Sequence, residues 1–377
     1  MSDLARAFAR TKLSSLPPES PLSEEMEYDD QDSSSASSMS STGTIRPSTT
    51  QKPAVPLPWS DFFAQELYLE KQFPEGAGSA KYHVYLTSPS SPKAPLFILH
   101  HGAGSSAMSF ALFALQLRKL LPEAGILAIE AREHGSVVWD ASDEVNSDLS
   151  IDILAQDMFD MIALTSGKQH WTDLPRLMLI GHSLGGAVVT HAAKLGNLGT
   201  KLIGYAVLDV VEGSAMDALK SMQSYLSARP SSFGTMEQAI EWHVRSRTLR
   251  NPESARASVP SLFVQTSSGR WVWRTDLTQT ESYWRNWFDG MSGKFLGAKG
   301  AKLLLLAGTD RLDKELMIGQ MQGKFQLQVF PMAGHFVQED MPEKTAETIA
   351  EFWRRNDSST LILPPKVSDL LAQGKQV

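Results

Sequence analysis

Short apolar runs alternate with longer amphipathic segments along much of the chain. The runs are nearly continuous in hydrophobic residues, which is typical of parallel strands that are buried on both faces. The segments between them repeat apolar positions at the spacing of an α-helix, most clearly over residues 149–167. The four central runs are PLFILHHGAG (95–104), GILAIEAREHG (125–135), RLMLIGHS (176–183) and KLIGYAVLDVV (201–211).

Four further runs extend this pattern at both ends. Residues 66–72 and 81–87 predict two strands joined by a turn at PEGAG. Residues 302–310 and 325–330 predict two more strands, each followed by a helical segment. The alternation therefore predicts an α/β fold with a mostly parallel sheet of eight strands and helices on both faces.

Three segments fall outside this alternation. Residues 212–300 carry helical stretches and several tryptophans, which predicts a helical insertion above the strand ends of a domain spanning residues 55–357. Residues 1–54 are polar and low in complexity, so they cannot bury enough surface to offset the entropy of ordering, and we expect them to be disordered. Residues 358–377 are expected to form a flexible tail.

The composition limits the classes of function. Hydrophobic residues make up 42% of the 377 positions, which is enough for a sizeable core, and the absence of cysteine excludes disulfides, zinc–thiolate sites and a cysteine nucleophile. The net charge of −7 gives no support for nucleic-acid or anionic-membrane binding, since both favour a basic patch. No apolar run reaches the roughly 18 residues of a membrane span. The N-terminus lacks the pattern of a signal peptide, so we expect a cytoplasmic and/or nuclear protein.

The run that ends at Ser183 carries the strongest chemical signal. The sequence from Gly181 to Gly185 matches G-x-S-x-G, which is weak alone, but here it follows a buried strand and opens a helix. That setting is the one in which a nucleophilic serine is held on a sharp turn, at a helix N-terminus that favours negative charge. Ser183 is therefore the candidate nucleophile, and the alternative is a glycine-rich turn with a capping serine.

A second loop offers donors for an oxyanion hole. HHGAGSS (100–106) directly follows an earlier buried strand, where a backbone N–H group is expected to face the nucleophile. Leu184, just after the serine, supplies one N–H group. Ala103 is the candidate for the other donor, with Gly102 as its alternative, while an ordinary strand-to-helix loop explains the stretch equally well on its own.

Among the nine histidines, His335 is the candidate general base. It follows a late strand, on a loop beside Gly334 and just before the last helix, where an imidazole can reach the serine. His182 adjoins the serine, but its side chain is expected to point away from the site. His191 lies two turns into the following helix, which is too far, and His100 and its neighbour are expected to pack against or support the loop.

The acid of a triad is expected between the serine and the histidine in chain order. Asp209 and Asp310 both end predicted strands, and the ends of parallel strands meet at one edge of the sheet. The residues alone leave both open.

Several longer stretches resemble the protein phosphatase methylesterases, a family with the α/β-hydrolase fold. They are IGHSLGGAVVTHAA, LDVVEGSAMDALKSMQSYLSARP and KLLLLAGTDRLDKELMIGQMQGKFQLQVFPMAGHFVQED, and the likeness covers about residues 55–356. The sequences DVVEG and DRLDKEL are far more specific than the serine motif. The oxyanion loop reads HGAG where HGGG is expected, which leaves the identity of the donor open.

The resemblance implies a function. Members of this family remove the methyl ester from the C-terminal leucine of the catalytic subunit of type 2A protein phosphatases, so that subunit is the expected partner. The family's triad maps to Ser183, Asp209 and His335, which favours Asp209 as the acid, and no metal or organic cofactor is expected. Two alternatives stay open, namely a small-molecule carboxylesterase of the same fold and a catalytically silent protein that binds the phosphatase.

Overall fold

The apolar runs of the sequence form the strands of a central sheet in the computed structural model, which describes residues 54–308 and 312–357. Nearly all of the predicted N-terminal segment and the whole predicted C-terminal tail lie outside these ranges, so both remain predictions. The strands in the described residues are β1 (Gln65–Gln72), β2 (Ser79–Thr87), β3 (Leu96–His100), β4 (Gly125–Ile129), β5 (Val137–Trp139), β6 (Leu177–His182), β7 (Leu202–Leu208), β8 (Ser232–Phe233), β9 (Phe263–Gln265), β10 (Trp271–Trp273), β11 (Ala301–Leu306) and β12 (Gln326–Val329).

Eight strands of the central sheet follow one another in the order β1-β2-β4-β3-β6-β7-β11-β12. The pairs from β4 through β12 are parallel, while β2 pairs antiparallel with both β1 and β4. These eight strands are the eight that the apolar runs predict. A ninth strand, β5, pairs with β2, and its three residues are too few for a pattern in the sequence to indicate it.

Helices cover both faces of the sheet. The α-helices of the described residues are α1 (Ala111–Leu120), α2 (Ile151–Lys168), α3 (Leu184–Leu195), α4 (Glu212–Ala218), α5 (Met222–Ala228), α6 (Met236–Arg245), α7 (Pro252–Ser258), α8 (Glu281–Phe288), α9 (Met291–Gly297), α10 (Lys314–Met321), α11 (Val337–Asp340) and α12 (Pro342–Asn356). No helix within these ranges combines the length and the hydropathy that crossing a bilayer requires.

Alternate residues of each strand point into two separate core layers. In β3, Ile98 packs with residues of α2 and α3 on one face, whereas Phe97 packs with α1 and α12 on the other, where its ring lies 5.6 Å from that of Trp353. Because both faces are buried, both positions are apolar, which explains why the runs show no alternation of polar and apolar residues.

The insertion contains helices, as expected, and also a small sheet. β8, β10 and β9 form a three-stranded antiparallel sheet around a separate apolar cluster. Phe263 and Trp273 pack within it with ring centroids 4.4 Å apart. Strands of two or three residues are too short for a period of two to be read from the sequence, so the pattern did not indicate them.

The insertion lies against the carboxyl ends of the central strands. The Thr275 hydroxyl donates a hydrogen bond to the carbonyl of Glu133 at 2.7 Å, and Leu277 packs against Gly104. Since Gly104 belongs to the loop after β3 and Glu133 follows β4, the insertion covers the edge of the sheet at which a site is expected in this class of fold.

A buried ion pair ties β2 and the segment after β4 to α2. Arg132 donates two hydrogen bonds to the Asp157 carboxylate, at 2.6 and 2.7 Å, and the Tyr82 hydroxyl donates a third at 2.8 Å. Burial and the nearby carboxylates of Asp157 and Asp160 raise the pKa of Tyr82 well above its ordinary value, so its hydroxyl stays protonated. All three residues are buried, so the loss of either Arg132 or Asp157 leaves the charge of the other uncompensated in the interior.

Asp157→Ala is expected to lower the free energy of unfolding by about 3–5 kcal/mol, because the Arg132 guanidinium would stay buried without its partner. Urea denaturation followed by circular dichroism measures the change. The double variant Arg132→Met/Asp157→Leu serves as the control and should recover much of the loss, since it removes both charges. Equal stability of Asp157→Ala and the unaltered chain would contradict this account of the pair.

Candidate active site

Ser183 lies on the turn between β6, which ends at His182, and α3, which begins at Leu184. Its backbone has φ 51° and ψ −121°, a combination that a residue with a Cβ atom rarely adopts. Such strain persists only where the surrounding structure enforces it, and it is concentrated at functional sites. The serine hydroxyl is thereby presented at the first turn of a helix, where the N–H groups point outward.

Glycines on both sides of the serine permit this turn. A Cβ atom at Gly181 would lie 2.0 Å from the carbonyl oxygen of Gly185, and a Cβ atom at Gly185 would lie 2.1 Å from the carbonyl oxygen of His100. At Gly186 it would lie 2.7 Å from a methyl carbon of Val210. β6 and α3 therefore approach each other, the end of β3 and the segment after β7 more closely than any side chain at these three positions would allow.

The loop after β3 lies directly against the serine. A Cβ atom at Gly102 would be 3.0 Å from the Cβ atom of Ser183, so only glycine fits without a shift. The N–H groups of Ala103 and Leu184 donate to no protein acceptor among the described residues. Leu184 begins a helix, where intrahelical acceptors are lacking, and Ala103 is half-buried. Both are therefore free to bind an oxyanion.

Two buried histidines hold this loop in place, and the sequence reasoning missed one of them. His134 accepts a hydrogen bond from the Gly104 N–H group at 2.8 Å, and its other ring nitrogen donates to the carbonyl of Arg132 at 2.9 Å. His101 donates to the carbonyl of Gly102 at 2.8 Å, in agreement with a supporting role. The sequence signal for His134 was weak, because it stands in a loop with no motif around it.

His335 is paired with Asp209 rather than with any other acid of the described chain. Its Nδ1 atom donates to the Asp209 carboxylate at 2.9 Å, which leaves Nε2 as the nitrogen available for chemistry. Asp209 is buried and has a positive φ of 52°, and its second carboxylate oxygen accepts from the Ala307 N–H group at 2.8 Å. The competing candidate, Asp310, lies outside the described residues.

A second aspartate fixes the loop that carries His335. The Asp340 carboxylate accepts hydrogen bonds from the backbone N–H groups of Gly334 and Arg250, each at 2.7 Å. Burial raises the pKa of Asp340, and the two N–H groups and the nearby Arg250 charge oppose that rise. The insertion, which contains Arg250, is thus bonded to the segment that positions the histidine.

His182 contributes more than the sequence reasoning expected. Its Nε2–H group donates to the carbonyl of His335 at 2.9 Å, and the two rings lie 4.7 Å apart. Burial lowers the pKa of His182 to about 3, so the ring is neutral at pH 7 and adds no charge beside the base. The prediction that it points away from the site therefore missed its contact with the His335 loop.

The side chains of His191 and His100 bind groups other than the serine, as the sequence predicts. His191 binds Asp152 at 2.8 Å on the outer side of α3, and the buried His100 donates to the carbonyl of the next residue at 2.9 Å.

No hydrogen bond joins the Ser183 hydroxyl to His335 in the described chain, although catalytic hydrogen bonds are often long before substrate binds. Within residues 54–308 and 312–357, no cluster of His, Asp and Glu residues could hold a metal ion.

Comparisons with known proteins agree with this arrangement. Residues 97–348 match the model of the alpha/beta hydrolase family. The protein named protein phosphatase methylesterase 1 of Aspergillus fumigatus is 53% identical over 99% of this chain and 93% of its own length. The protein of the same name in Emericella nidulans is 55% identical over 99% of this chain and 93% of its own length.

This chain belongs to the protein phosphatase methylesterase 1 family. The fold agrees with that assignment: the crystal structure of E-2-(acetamidomethylene)succinate hydrolase covers 77% of this chain with a TM-score of 0.58 at 17% identity, which shows the α/β-hydrolase fold alone. Membership of the methylesterase family makes the chain a carboxylic ester hydrolase, and the predicted fold class is confirmed.

His134→Phe is expected to lower kcat for ester hydrolysis by about 10- to 100-fold with little change in KM, because the loop that carries Ala103 would lose its anchor. Steady-state kinetics, with one ester substrate used for all variants, measure kcat and KM separately. His134→Gln, which keeps an acceptor, should recover part of the rate. His170→Asn, at an exposed position, is the control, and an unchanged kcat in His134→Phe would show that the loop does not need this hydrogen bond.

Proposed function

We propose that this protein removes the methyl ester from the C-terminal leucine of the catalytic subunit of a type 2A protein phosphatase, and releases methanol. The observation that carries the proposal is the pairing of His335 with Asp209 at 2.9 Å, beside a serine held on a strained turn. The substrate class follows from the relatives, whose name states that they act on protein phosphatases. The cytoplasmic and/or nuclear location stays a prediction from the sequence.

In the proposed first step, Ser183 attacks the carbonyl carbon of the methyl ester. Nε2 of His335 takes the hydroxyl proton as the bond between the serine oxygen and the carbonyl carbon forms. The resulting imidazolium then donates this proton to the methoxy oxygen as its bond to carbon breaks. Methanol leaves, and the leucine carbonyl remains bound to the serine as an ester.

In the proposed second step, water replaces methanol. Nε2 of His335 takes a proton from the water as the oxygen attacks the acyl-enzyme, and the same proton returns to the serine oxygen when that bond breaks. The products are the restored Ser183 and the free leucine carboxyl group, which releases the second proton of the water to solvent and becomes a carboxylate. The carboxylate of Asp209 keeps the histidine in the tautomer with hydrogen on Nδ1 and balances the charge of the imidazolium in both steps.

The N–H groups of Ala103 and Leu184 are proposed to bind the oxyanion of each tetrahedral intermediate. Removal of one such donor typically costs about 3 kcal/mol of transition-state stabilisation, which is about a hundredfold in rate. Both donors are backbone groups, so their position depends on the turn at Ser183 and on the loop that His134 anchors. The site needs no metal for this chemistry.

Asp209→Asn is expected to lower kcat by about 10⁴-fold, because an amide cannot hold His335 in the required tautomer. The assay incubates a methylated phosphatase tail peptide with each variant. Mass spectrometry of the peptide then measures the loss of the methyl group that accompanies methanol release. Ser183→Ala gives the background rate expected without the nucleophile. Asp217→Asn is the matched control, because Asp217 is exposed and pairs with Lys220.

Asp310→Asn should reduce the rate far less than Asp209→Asn. A larger loss for Asp310→Asn would transfer the role of acid to Asp310. Full turnover by Ser183→Ala would exclude the proposed mechanism.

A further inference from the structure

Arg229 carries a cation that forms no salt bridge with any residue of the described chain. It caps the C-terminus of α5, and its guanidinium lies over the indole of Trp273, with the guanidinium carbon 4.2 Å from the ring centroid. Its Nε atom is buried and has no hydrogen-bond partner. Among the described residues, no carboxylate lies within salt-bridge distance of this guanidinium.

The carboxylate whose charge acts on Arg229 is hydrogen-bonded to other groups. The charge of Asp276 acts on Arg229, but its carboxylate accepts hydrogen bonds from the Thr278 N–H group at 3.0 Å, the Thr278 hydroxyl at 2.6 Å and the Gln279 amide at 3.1 Å. Burial also lowers the pKa of Arg229, which still leaves an arginine protonated. The described chain therefore holds a partly buried guanidinium with no carboxylate bonded to its donors.

The position of this guanidinium is fixed relative to the active site. The Trp273 indole N–H group donates to the carbonyl of Pro230 at 2.8 Å, which holds the ring beside Arg229. From Trp273 the chain runs four residues to Leu277, which packs against Gly104 in the oxyanion loop. Four residues span at most about 14 Å. An extended peptide whose C-terminus lies at the serine can therefore reach Trp273 with a few more residues.

We propose that Arg229, stacked on Trp273, binds the carboxylate side chain of an acidic residue a few positions before the methylated leucine of the substrate. A guanidinium on an aromatic face keeps its planar donors aligned for two parallel hydrogen bonds to a carboxylate. The site would thus select acidic peptides. This inference rests on the proposed function, since it assumes a peptide ester as substrate.

The test is a direct binding measurement on the full chain carrying Ser183→Ala, so that the ester survives. The probes are fluorescently labelled hexapeptides that end in leucine methyl ester. Each peptide carries one glutamate, at the second, third, fourth or fifth residue from the C-terminus. A matched peptide carries glutamine at the same position. Fluorescence anisotropy gives Kd for each peptide. At one position the glutamate peptide should bind about tenfold more tightly than its glutamine counterpart, as expected for a hydrogen-bonded charge pair.

Arg229→Gln should abolish this preference, and Arg229→Lys should keep only part of it, because lysine retains the charge without the planar fork. Arg270→Gln is the matched control and should keep the full preference, since Arg270 directly precedes β10, is exposed and is bonded to Ser232. Circular dichroism checks that each variant is folded. If Arg229→Gln fails to fold, the Arg229→Lys comparison decides.

Three results would overturn the inference: equal Kd values for the glutamate and glutamine peptides, an undiminished preference in the Arg229 variants, or no binding of any peptide. Methanol release from the same peptides by the chain with Ser183 intact tests the proposed function separately. Peptides that bind with the Arg229-dependent preference but release no methanol would contradict the proposed function and leave this binding site standing.

Discussion

The strained backbone at Ser183 is the constraint on which the site depends. A serine does not adopt φ 51° and ψ −121° by preference, so the surrounding contacts must hold it there. The glycines at 181 and 185 permit these contacts, because the strand, the helix and the neighbouring strand meet at distances that exclude any Cβ atom. The position of the hydroxyl, the lack of a protein acceptor among the described residues for the Leu184 N–H group and the direction of α3 all follow from this one turn.

The second requirement is a set of neutral, buried histidines around the turn. Burial lowers the pKa of both His134 and His182 to about 3, so each ring is a fixed hydrogen-bonding group at pH 7 rather than a charge. His134 anchors the oxyanion loop, and His182 anchors the segment that carries His335. His335, by contrast, is partly exposed, and the hydrogen bond between its Nδ1 atom and Asp209 leaves Nε2 as the nitrogen available for chemistry.

Much of this could be predicted from the sequence. Continuous apolar runs predicted the eight main strands because both faces of the sheet are buried. The expected chain order of a triad, with the acid between Ser183 and His335, narrowed the candidate acids to Asp209 and Asp310. The strands of two or three residues were missed because a pattern needs more positions than they have. His134 was missed because its role depends on a hydrogen bond to Gly104, 30 residues earlier in the chain, and sequence spacing carries no record of such a contact.

The choice between two acids shows the same limit. Both Asp209 and Asp310 end predicted strands, so position along the chain could not separate them, and the resemblance to a family made the choice. In the structure the Asp209 carboxylate divides its oxygens between His335 and the Ala307 N–H group, a geometry that only the folded arrangement of β7 and β11 produces.

The most direct test of the central claim is the reaction of the full chain with a fluorophosphonate, which modifies activated serines, followed by peptide mapping. The account predicts a single adduct, on Ser183, and a labelling rate at least about 100-fold lower in His335→Ala, because the hydroxyl would lose its base. An adduct on a different serine, or an undiminished rate without His335, would contradict it.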